Sequence, residues 1–181
     1  MIAFLGDRRA VMGTSENPLE DHRFKETCEQ ITQWLKQYGY FIESQPAGKF
    51  AWALSAKDEL DFSVNIAQHR GNLAFISVGA RLLLDELHVK RLQEMGEDER
   101  AKAVADIGLC LLGMGMSFAV GPPPVSWLGM STRVFREGLV GKDLVAAIEL
   151  TRRGFQAVVW MMAKILGELP PPHPESEETI H

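Results

Sequence analysis

The chain has little cysteine, and its histidines are scattered. Cys28 and Cys110 are the only cysteines among 181 residues, and five histidines are spread along the sequence. Both cysteines fall at apolar positions of helical patterns, so we interpret them as buried small hydrophobic residues rather than as a disulfide. No group of ligands has the spacing of a zinc site. We therefore expect no metal, no cofactor and a reducing compartment.

An excess of basic residues is also absent. The chain has 19 lysines and arginines against 24 aspartates and glutamates, which gives a formal net charge of -5. Proteins that bind nucleic acids are usually basic, so this balance argues against direct nucleic-acid binding. The composition, with 46% hydrophobic and 24% charged residues, is that of an ordinary soluble globular protein.

Hydrophobic runs of the kind that target or span membranes are missing. The apolar residues 1–5 are followed almost at once by charged residues 7–9, whereas a signal peptide has basic residues first and a longer apolar run after them. The uncharged stretch 107–132 has the length of a membrane span, but glycines and the prolines 122–124 interrupt it. Such a break would leave backbone polar groups without partners in lipid. We expect a cytoplasmic protein with no membrane segment.

What the sequence does contain is a β-meander in its first half. Alternation of large apolar residues with small or polar ones predicts strands at residues 50–56, 60–68 and 72–81. The separators are short, which requires antiparallel hairpins. The third strand is apolar on both faces, so we place it centrally in the sheet. Two further strands are predicted at residues 116–120 and 127–135.

A helix is predicted before the meander. Asn17 is its N-cap, Pro18 its first helical residue, and an apolar stripe continues at steps of three and four to Tyr38. Gly39 ends this helix, as a C-terminal glycine commonly does. Residues 40–42 then lead into the meander.

More helices follow the meander. Asp85 caps a short helix, and Gly96 separates it from a second helix at residues 97–112. The last helix, residues 141–169, is the longest element and is apolar nearly all round between residues 157 and 163. A surface helix needs only one apolar stripe, so this helix is either covered on two sides or meets another subunit.

These elements predict one domain with two flanking segments. Residues 1–16 show no sustained period and form a flexible N-terminal arm, while residues 17–169 form a single α+β domain. Prolines at 170–172 stop the last helix, and residues 170–181 are predicted to be a disordered acidic tail. The order α-β-β-β-α-β-β-α indicates two layers, with helices on a twisted antiparallel sheet.

This order of elements, together with the residues that begin and end them, resembles the YbjN family and the type III secretion chaperone-like fold. The resemblance covers residues 19–169 and is carried by residues 76–78 running into 84–88, by the acidic helix start at 97–100, and by 137–139 before the last helix. It implies helices packed on a twisted antiparallel sheet. It also implies a non-catalytic, often dimeric module that binds or regulates other proteins.

Few residues point to chemistry. His88 lies near Asp85 and Glu86, which an acid–base or metal site would use, but the same residues form the start of a capped helix. Cys110 has no histidine near it in sequence, although a nucleophile's partners can come from distant residues. His69 lies in a hairpin turn. We assign no catalytic, cofactor-binding or metal-binding residue.

Basic residues do occur close together in the last third of the chain, at Arg133, Arg136, Lys142, Arg152 and Arg153. Such a cluster can approach phosphates. Acidic residues are interleaved with them, however, and a solvated face explains the pattern better.

The candidate interface is a patch on the last helix that consists of Val159, Trp160, Met161 and Met162. Methionine-rich surfaces adapt to varied apolar partners, and an exposed apolar patch marks an interaction site. Core packing of a helix buried on two sides is the alternative. If the patch is an interface, a homodimer contact is favoured over a client groove.

Three functions follow, in order of preference. The first is a cytoplasmic homodimer that binds a protein partner as a chaperone-like module or regulatory adaptor, without catalysis. The second is a small-molecule sensor or enzyme with a pocket between the sheet and the C-terminal helix, which needs convergent polar groups in that pocket. The third is a regulator of a nucleic-acid-associated protein that uses the arginine cluster.

Overall fold

The computed structural model describes residues 18–46, 48–72 and 74–167, with side chains described from residue 22 onward. Within these ranges the elements are α1 (Pro18–Gln37), β1 (Phe41–Gln45), β2 (Phe50–Lys57), β3 (Ser63–His69), β4 (Phe75–Leu83), α2 (Glu86–Glu94), α3 (Glu97–Gly113), β5 (Ser117–Val120), β6 (Trp127–Phe135) and α4 (Gly141–Leu166). The strands form one antiparallel sheet in the order β1-β2-β3-β4-β6-β5. The architecture is therefore α+β, as predicted.

The ladder between β4 and β6 forms the middle of the sheet. It runs without interruption from the pair Phe75 and Phe135 to the pair Leu83 and Trp127. β3 pairs with the other side of β4. β4 corresponds to the third strand of the predicted meander, so the predicted central position of that strand in the sheet is confirmed. β5 is an edge strand, and the prolines at 122–124 lie between it and β6, where the missing backbone donors interrupt no ladder.

The two faces of the sheet differ in what covers them. Apart from Phe50 at a bulge in β2, even-numbered strand residues face the helices and odd-numbered residues face away, since every pairing register joins residues of the same parity. α4 packs on β4 and β6, α1 on β1 and β2, and α3 on β5. We call the even-numbered side the covered face and the odd-numbered side the open face.

The core lies between the covered face and the helices. The covered face contributes Val64, Ile66, Ile76 and Val78, each with 0% exposure. The helices contribute Ile31, Leu35, Ile107, Leu111, Leu144, Ile148, Val158 and Met162. Full burial of one such side chain stabilises the fold by roughly 1.5–3 kcal/mol. The buried positions of α4, among them Leu144, Ile148 and Val158, recur at steps of three and four and form one stripe along the helix.

Helix ends follow the signals in the sequence. Gly39 has φ of 85° and ends α1, and the N–H of Tyr40 donates to the carbonyl of Leu35 at 3.0 Å, as in a Schellman motif. Asp85 caps α2 by accepting the N–H of His88 at 2.8 Å. Gly96 separates α2 from α3, as predicted.

The predicted order omitted one strand. β1, read in the sequence as a connecting segment, pairs along its length with β2 at the edge of the sheet. Ile42 is its only apolar residue on the covered face, because Ser44 occupies the next covered position. An edge strand held by one ladder needs no alternation of apolar residues, so the period of two did not reveal it.

Several boundaries also differ from prediction; β4, for example, spans Phe75–Leu83 rather than residues 72–81. Two of the differences have a local cause. The Asp58 carboxylate accepts the N–H groups of Leu60 and Phe62 at 2.8 and 3.0 Å, and this side-chain turn delays the start of β3 to Ser63. The last helix ends at Leu166 rather than Leu169, because Gly167 takes φ of 87°. Glycine accepts that conformation without a steric cost.

The predicted arm at residues 1–16, the N-cap Asn17 and the predicted tail at residues 170–181 lie outside the described residues. None of the helices described is long and apolar enough to cross a membrane.

Candidate functional site

Small side chains occupy the middle of the open face. Pairing registers place seven of them side by side on β2, β3, β4 and β6, and we call this group the small-residue strip: Ala53, Ser55, Asn65, Ala67, Ser77, Gly79 and Ser131. The solvated face of an antiparallel sheet usually alternates polar residues with the core, yet no strip residue is charged. A surface of short side chains loses little rotamer entropy when another molecule covers it.

Gly79 keeps the strip flat at its centre. A Cβ atom added there would lie 2.9 Å from the carbonyl oxygen of Met130 and 3.0 Å from the Cβ of Ser131. The backbone oxygen cannot move aside without disturbing the β4–β6 ladder. Glycine at this position therefore permits the close approach of the two central strands.

An aromatic residue and an arginine stand at one end of the strip. The Trp127 ring lies against two glycines, since an added Cβ would be 2.8 Å from its Nε1 at Gly121 and 3.1 Å from its Cζ3 at Gly129. The guanidinium of Arg81 stacks over this ring, 4.5 Å from its centroid. Leu83, 64% exposed, is the cross-strand partner of Trp127. This end presents apolar area together with one positive charge.

A second group of similar composition stands at the other end. Phe75 and Phe135 pair across the central ladder with ring centroids 4.7 Å apart, and Phe135 is 67% exposed. The guanidinium of Arg133 lies 5.9 Å from the centroid of Phe75. The open face thus has a flat small-residue strip between two aromatic and cationic ends.

The four residues of the predicted α4 patch do not share one environment. Trp160 is 73% exposed, whereas Met162 is 1% exposed and belongs to the core. Val159 is half-buried, and half-buried Met161 packs against the core. Met162 cannot contribute to a surface, because its helix position faces the sheet. Of the four, Trp160 is the residue exposed for contact.

Two leucines on α3 extend the apolar surface of the helical layer. Leu109 is 67% exposed and Leu112 is 63% exposed. α3 packs beside α4, and an added Cβ at Gly154 would lie 3.1 Å from Leu111, so the two leucines lie on the helix next to the one that carries Trp160. We call Leu109, Leu112 and Trp160 the helical patch.

A polar cluster joins α4 to the β2–β3 turn on the covered side. Arg152 forms an ion pair with Asp58, lies 3.6 Å from Glu149, and stacks over Phe62 with 5.1 Å to the ring centroid. Burial raises the pKa of the nearby Tyr40 hydroxyl above its ordinary value of 10.0, and the charges of Glu149 and Asp58 add to this while Arg152 opposes it. The cluster holds the turn against the helix.

His88 and Asp85 form a second polar pair. His88 is 7% exposed, and its Nδ1 lies 2.8 Å from the Asp85 carboxylate, which orients the ring. Its Nε2 is buried without a hydrogen-bond partner in the described part of the chain. A carboxylate that orients an imidazole is one element of acid–base sites, and the same carboxylate also caps α2.

The remaining sequence candidates are dispersed. Arg133 lies on the open face, Arg152 is in the ion-paired cluster, and Arg136 lines a groove of about 180 Å³ against α1. His69 serves its hairpin turn, where its Nδ1 accepts the N–H of Gly71 at 3.2 Å. The basic residues close in sequence therefore do not make one phosphate-binding patch.

The cysteines and possible metal ligands show no prepared site in the described ranges. Cys28 and Cys110 are free and half-buried, and burial raises the pKa of the Cys28 thiol above its ordinary value of 9.0, so the thiolate is disfavoured. No group of three or more histidine, cysteine, aspartate or glutamate side chains there is placed to hold a metal ion.

The open face was missed as a site in the sequence reading, although its signal is present. In β2 and β3 the large apolar residues alternate with Ala53, Ser55, Asn65 and Ala67. Alternation of large with small residues predicts one covered face, and the scarcity of charge at the small positions distinguishes the other face from an ordinary solvated one.

The chain belongs to a family of uncharacterized conserved proteins, DUF2299, whose profile matches residues 27–162. The match extends from α1 into α4 and includes the whole sheet. No curated protein matches the sequence.

A solved structure has the same fold. The crystal structure of an uncharacterized protein from Methanothermobacter thermautotrophicus is similar with a TM-score of 0.69, at 19% sequence identity. The similarity covers 78% of this chain and 99% of that chain. At this identity the likeness shows a shared architecture.

Proposed function

We propose that this chain is a non-catalytic protein-binding module that acts as a homodimer and receives a protein partner on its open face. The observation that carries the proposal is the side of the six-stranded sheet opposite the described helices, with its uncharged strip between exposed aromatic residues. Resemblance of the sequence to YbjN-like proteins and type III secretion chaperones supports the same class. The two free thiols suit a cytoplasmic setting.

The physical chemistry of the open face favours a protein as ligand. Aromatic residues and arginine are the residues most enriched where protein interfaces derive their affinity. Here Phe75, Trp127 and Phe135 flank a flat strip with room for backbone to approach closely. A flat strip of short side chains suits an extended segment or a flat surface better than a small molecule.

We propose the helical patch as the homodimer contact. Leu109, Leu112 and Trp160 are each more than 60% exposed, and they lie on α3 and α4, which are in contact. A twofold dimer needs one self-complementary patch, which each copy contributes. This arrangement leaves the open face of both copies available.

The dimer is tested by measuring mass in solution with light scattering. The chain has a mass of 20.2 kDa, so we expect twice this value for the wild type and the single-chain mass for Trp160→Glu. Leu87→Glu, at an exposed leucine on α2, is the matched control and should stay dimeric. If Trp160→Glu keeps the mass of the wild type, the helical patch is not the homodimer contact.

The partner is tested by affinity capture followed by binding of purified components. Asn65→Glu with Ser131→Glu places two carboxylates in the small-residue strip without touching the core. We expect the captured protein to bind the wild type in near-stoichiometric amount and the double variant at least about tenfold more weakly, since a desolvated charge disfavours the complex.

Gln33→Glu with Gln93→Glu, at exposed positions of α1 and α2, makes the same change in charge elsewhere and should bind as the wild type does. Equal binding of the partner by both double variants would contradict the assignment of the open face as the binding surface. If the captured protein, once purified, forms no complex with the wild type, the proposed binding function is wrong.

A small-molecule sensor or enzyme is the second candidate, and the Asp85–His88 pair is the observation that favours it. The Nε2 of His88 is buried and has no hydrogen-bond partner among the described residues, so a polar ligand that entered beside it would gain a hydrogen bond. Titrating polar metabolite mixtures while following the His88 ring signals by NMR tests it. A shift in the wild type that Asp85→Asn abolishes would favour this candidate.

A further inference from the structure

The two central strands present the same order of side chains on the open face. From the beginning of each strand to its end, the alternate positions hold an apolar residue, two small residues, an arginine and a second apolar residue. In β4 these are Phe75, Ser77, Gly79, Arg81 and Leu83, and in β6 they are Trp127, Gly129, Ser131, Arg133 and Phe135. Two antiparallel strands with the same order of residues form a surface of approximate twofold symmetry, provided that their centres are paired.

The observed register pairs those centres. Gly79 pairs with Ser131 in the middle of the ladder, and the first open-face residue of each strand pairs with the last one of the other strand. An approximate twofold axis therefore passes between Gly79 and Ser131, perpendicular to the sheet. A ligand on this surface meets the same kinds of group at equal distances on both sides of that axis.

The two arginines follow the same symmetry. Arg81 stacks over Trp127 at 4.5 Å from the ring centroid, and the guanidinium of Arg133 lies 5.9 Å from the centroid of Phe75. Each arginine thus contacts the first open-face residue of the opposite strand. Neither forms an ion pair with any described residue. Stacking uses the flat side of a guanidinium and leaves its N–H edges for a carboxylate, which binds them through two hydrogen bonds.

The charge at the centre of the open face is opposite to that of the whole chain. The chain has a net charge of -5, yet the acidic residue at open-face positions of the described strands is Glu43, on the edge strand β1. Lys57, also near that edge, is paired with Asp61 at 2.7 Å. The charges of Arg81 and Arg133 therefore dominate the centre of the face and favour an acidic ligand.

The spacing of the arginines suits an extended segment. Arg81 pairs with Gly129 and Arg133 pairs with Ser77, so the two arginines lie four positions apart along the ladder, which is about 13 Å at the rise of a β-strand. In an extended chain, two side chains on the same side reach this distance when they are four residues apart. An α-helix covers it in about nine residues, and residues with that separation lie on opposite sides of the helix.

A nucleic acid or a second copy of the chain suits this surface less well. Stacking of a base needs an open aromatic ring face, whereas the guanidinium of Arg81 already covers Trp127. A second copy placed face to face would add its own Arg81 and Arg133 to the same interface, and like charges disfavour such an association.

We propose that the open-face residues of β4 and β6, which we call the twofold site, bind an extended acidic segment of a partner protein. The segment has two carboxylate residues four positions apart, one for each arginine, and an apolar residue two positions outside each carboxylate. This inference rests on the proposed function, because it specifies the chemistry of the partner that the open face receives. The short side chains of Gly79 and Ser131 let the backbone of the segment lie close to the sheet.

The spacing is tested with two synthetic peptides of about nine residues. The first has leucine at both ends, two glutamates four positions apart between them, and serine elsewhere. The second has the same composition with the glutamates two positions apart. We expect calorimetric titration of the full chain to show that the first peptide binds at least about tenfold more tightly, since only its carboxylates reach both arginines. Equal affinities, or no binding of the first peptide, would overturn the proposal.

The arginines are tested by substitution. Arg81→Gln and Arg133→Gln should each weaken the binding of the first peptide by at least about fivefold and to a similar degree, because the symmetry makes the two charge-assisted contacts equivalent. The control, Arg23→Gln with Arg153→Gln, removes two exposed positive charges from α1 and α4 and should bind the peptide as the wild type does. A loss confined to one arginine, or an equal loss in the control, would contradict the twofold site.

Failure of this inference is distinguishable from failure of the proposed function. If the first peptide does not bind but the captured partner still requires the small-residue strip, the acidic segment is wrong and the proposed function stands. If the peptide binds but the captured partner is indifferent to the strip, the proposed function is wrong.

The other two occupants have outcomes of their own. A labelled single-stranded RNA that displaces the first peptide and binds more tightly would assign the twofold site to nucleic acid and overturn both proposals. A single-chain mass for Asn65→Glu with Ser131→Glu, measured by light scattering, would show that a second copy covers the open face and would also overturn both.

Discussion

The two faces of the sheet share the same strands but have different physical constraints. At neighbouring positions of β4, Val78 is fully buried under α4 while Ser77 and Gly79 belong to the small-residue strip. The covered face is large and aliphatic because it must fill the space up to the helices. The open face has no such demand, and its small-residue strip contains no charged side chain.

The difference between the two faces separates substitutions that affect stability from substitutions that affect binding. Changes on the covered face act on the free energy of unfolding through cavities and buried charge. Changes on the open face leave the core intact, so their effects belong to binding. The following predictions contrast neighbouring residues on this basis.

Val78→Asp is expected to have the largest effect. A carboxylate at this fully buried position has no partner, so we expect a loss of more than about 4 kcal/mol, or no folded protein. Ser77→Asp, one residue away on the open face, should cost less than about 1 kcal/mol. Urea unfolding followed by circular dichroism measures both, and similar losses would contradict the assignment of the two faces.

Met162→Ala and Trp160→Ala make the same comparison on α4. Removing the buried Met162 side chain leaves a cavity, and we expect a loss of about 2–4 kcal/mol. Trp160 is 73% exposed, so its removal should change the stability of the single chain by no more than about 0.5 kcal/mol. Thermal unfolding at a concentration low enough to keep the chain monomeric distinguishes them. A larger loss for Trp160→Ala would place the tryptophan in the core.

Arg152→Met tests the polar cluster on the covered side. It leaves Asp58, mostly buried, without its cationic partner, so we expect a loss of about 1–3 kcal/mol. The stacked but unpaired Arg81 provides the contrast, since Arg81→Met removes a cation–π contact at the open surface and should cost less than about 1 kcal/mol. Chemical denaturation of both variants checks the order, and the reverse order would show that the ion pair is not what holds the β2–β3 turn.

The smallest effect concerns alkaline pH. Burial and the charges of Glu149 and Asp58 raise the pKa of Tyr40 above 10.0, so the unfolded chain loses this proton first as pH rises. The contribution to stability is complete below pH 10 and is lost as pH rises through the folded-state value. In a Tyr38→Phe background, absorbance at 295 nm should report a midpoint above 10.0 for Tyr40.

Removing Arg152 should raise that midpoint further, because its positive charge favours the tyrosinate. A midpoint at or below the ordinary value, or a fall on removal of Arg152, would contradict the arrangement of the cluster.

Local patterns in the sequence predicted much of the fold. β6 has the predicted bounds, and Asp85 and Gly96 mark the ends of α2 as expected. These features depend on capping, turn chemistry and periodicity, which act over a few residues. β1 was not predicted, because an edge strand is held mainly by its ladder with the neighbouring strand and needs no alternation of apolar and polar residues.

Contacts between residues far apart in sequence could not be predicted from those local patterns. The ion pair of Asp58 with Arg152 joins residues 94 positions apart. Residues 157–163 are apolar nearly all round, so periodicity could not tell which side of α4 faces the sheet, and Met162 was grouped with Trp160. The small-residue strip becomes a surface only when β4 and β6 pair, with α2, α3 and β5 between them in sequence.

That central ladder also has a consequence for the order of folding. β1 to β4 join through short hairpins, so their contacts form at a small loss of chain entropy. The β4–β6 ladder instead closes a loop formed by residues 84–126, and it must form before α4 has a complete surface to cover. Non-local pairing of this kind slows two-state folding into the range of milliseconds to seconds. We therefore expect the small-residue strip, which spans this ladder, to form late, after the hairpins that supply its other strands.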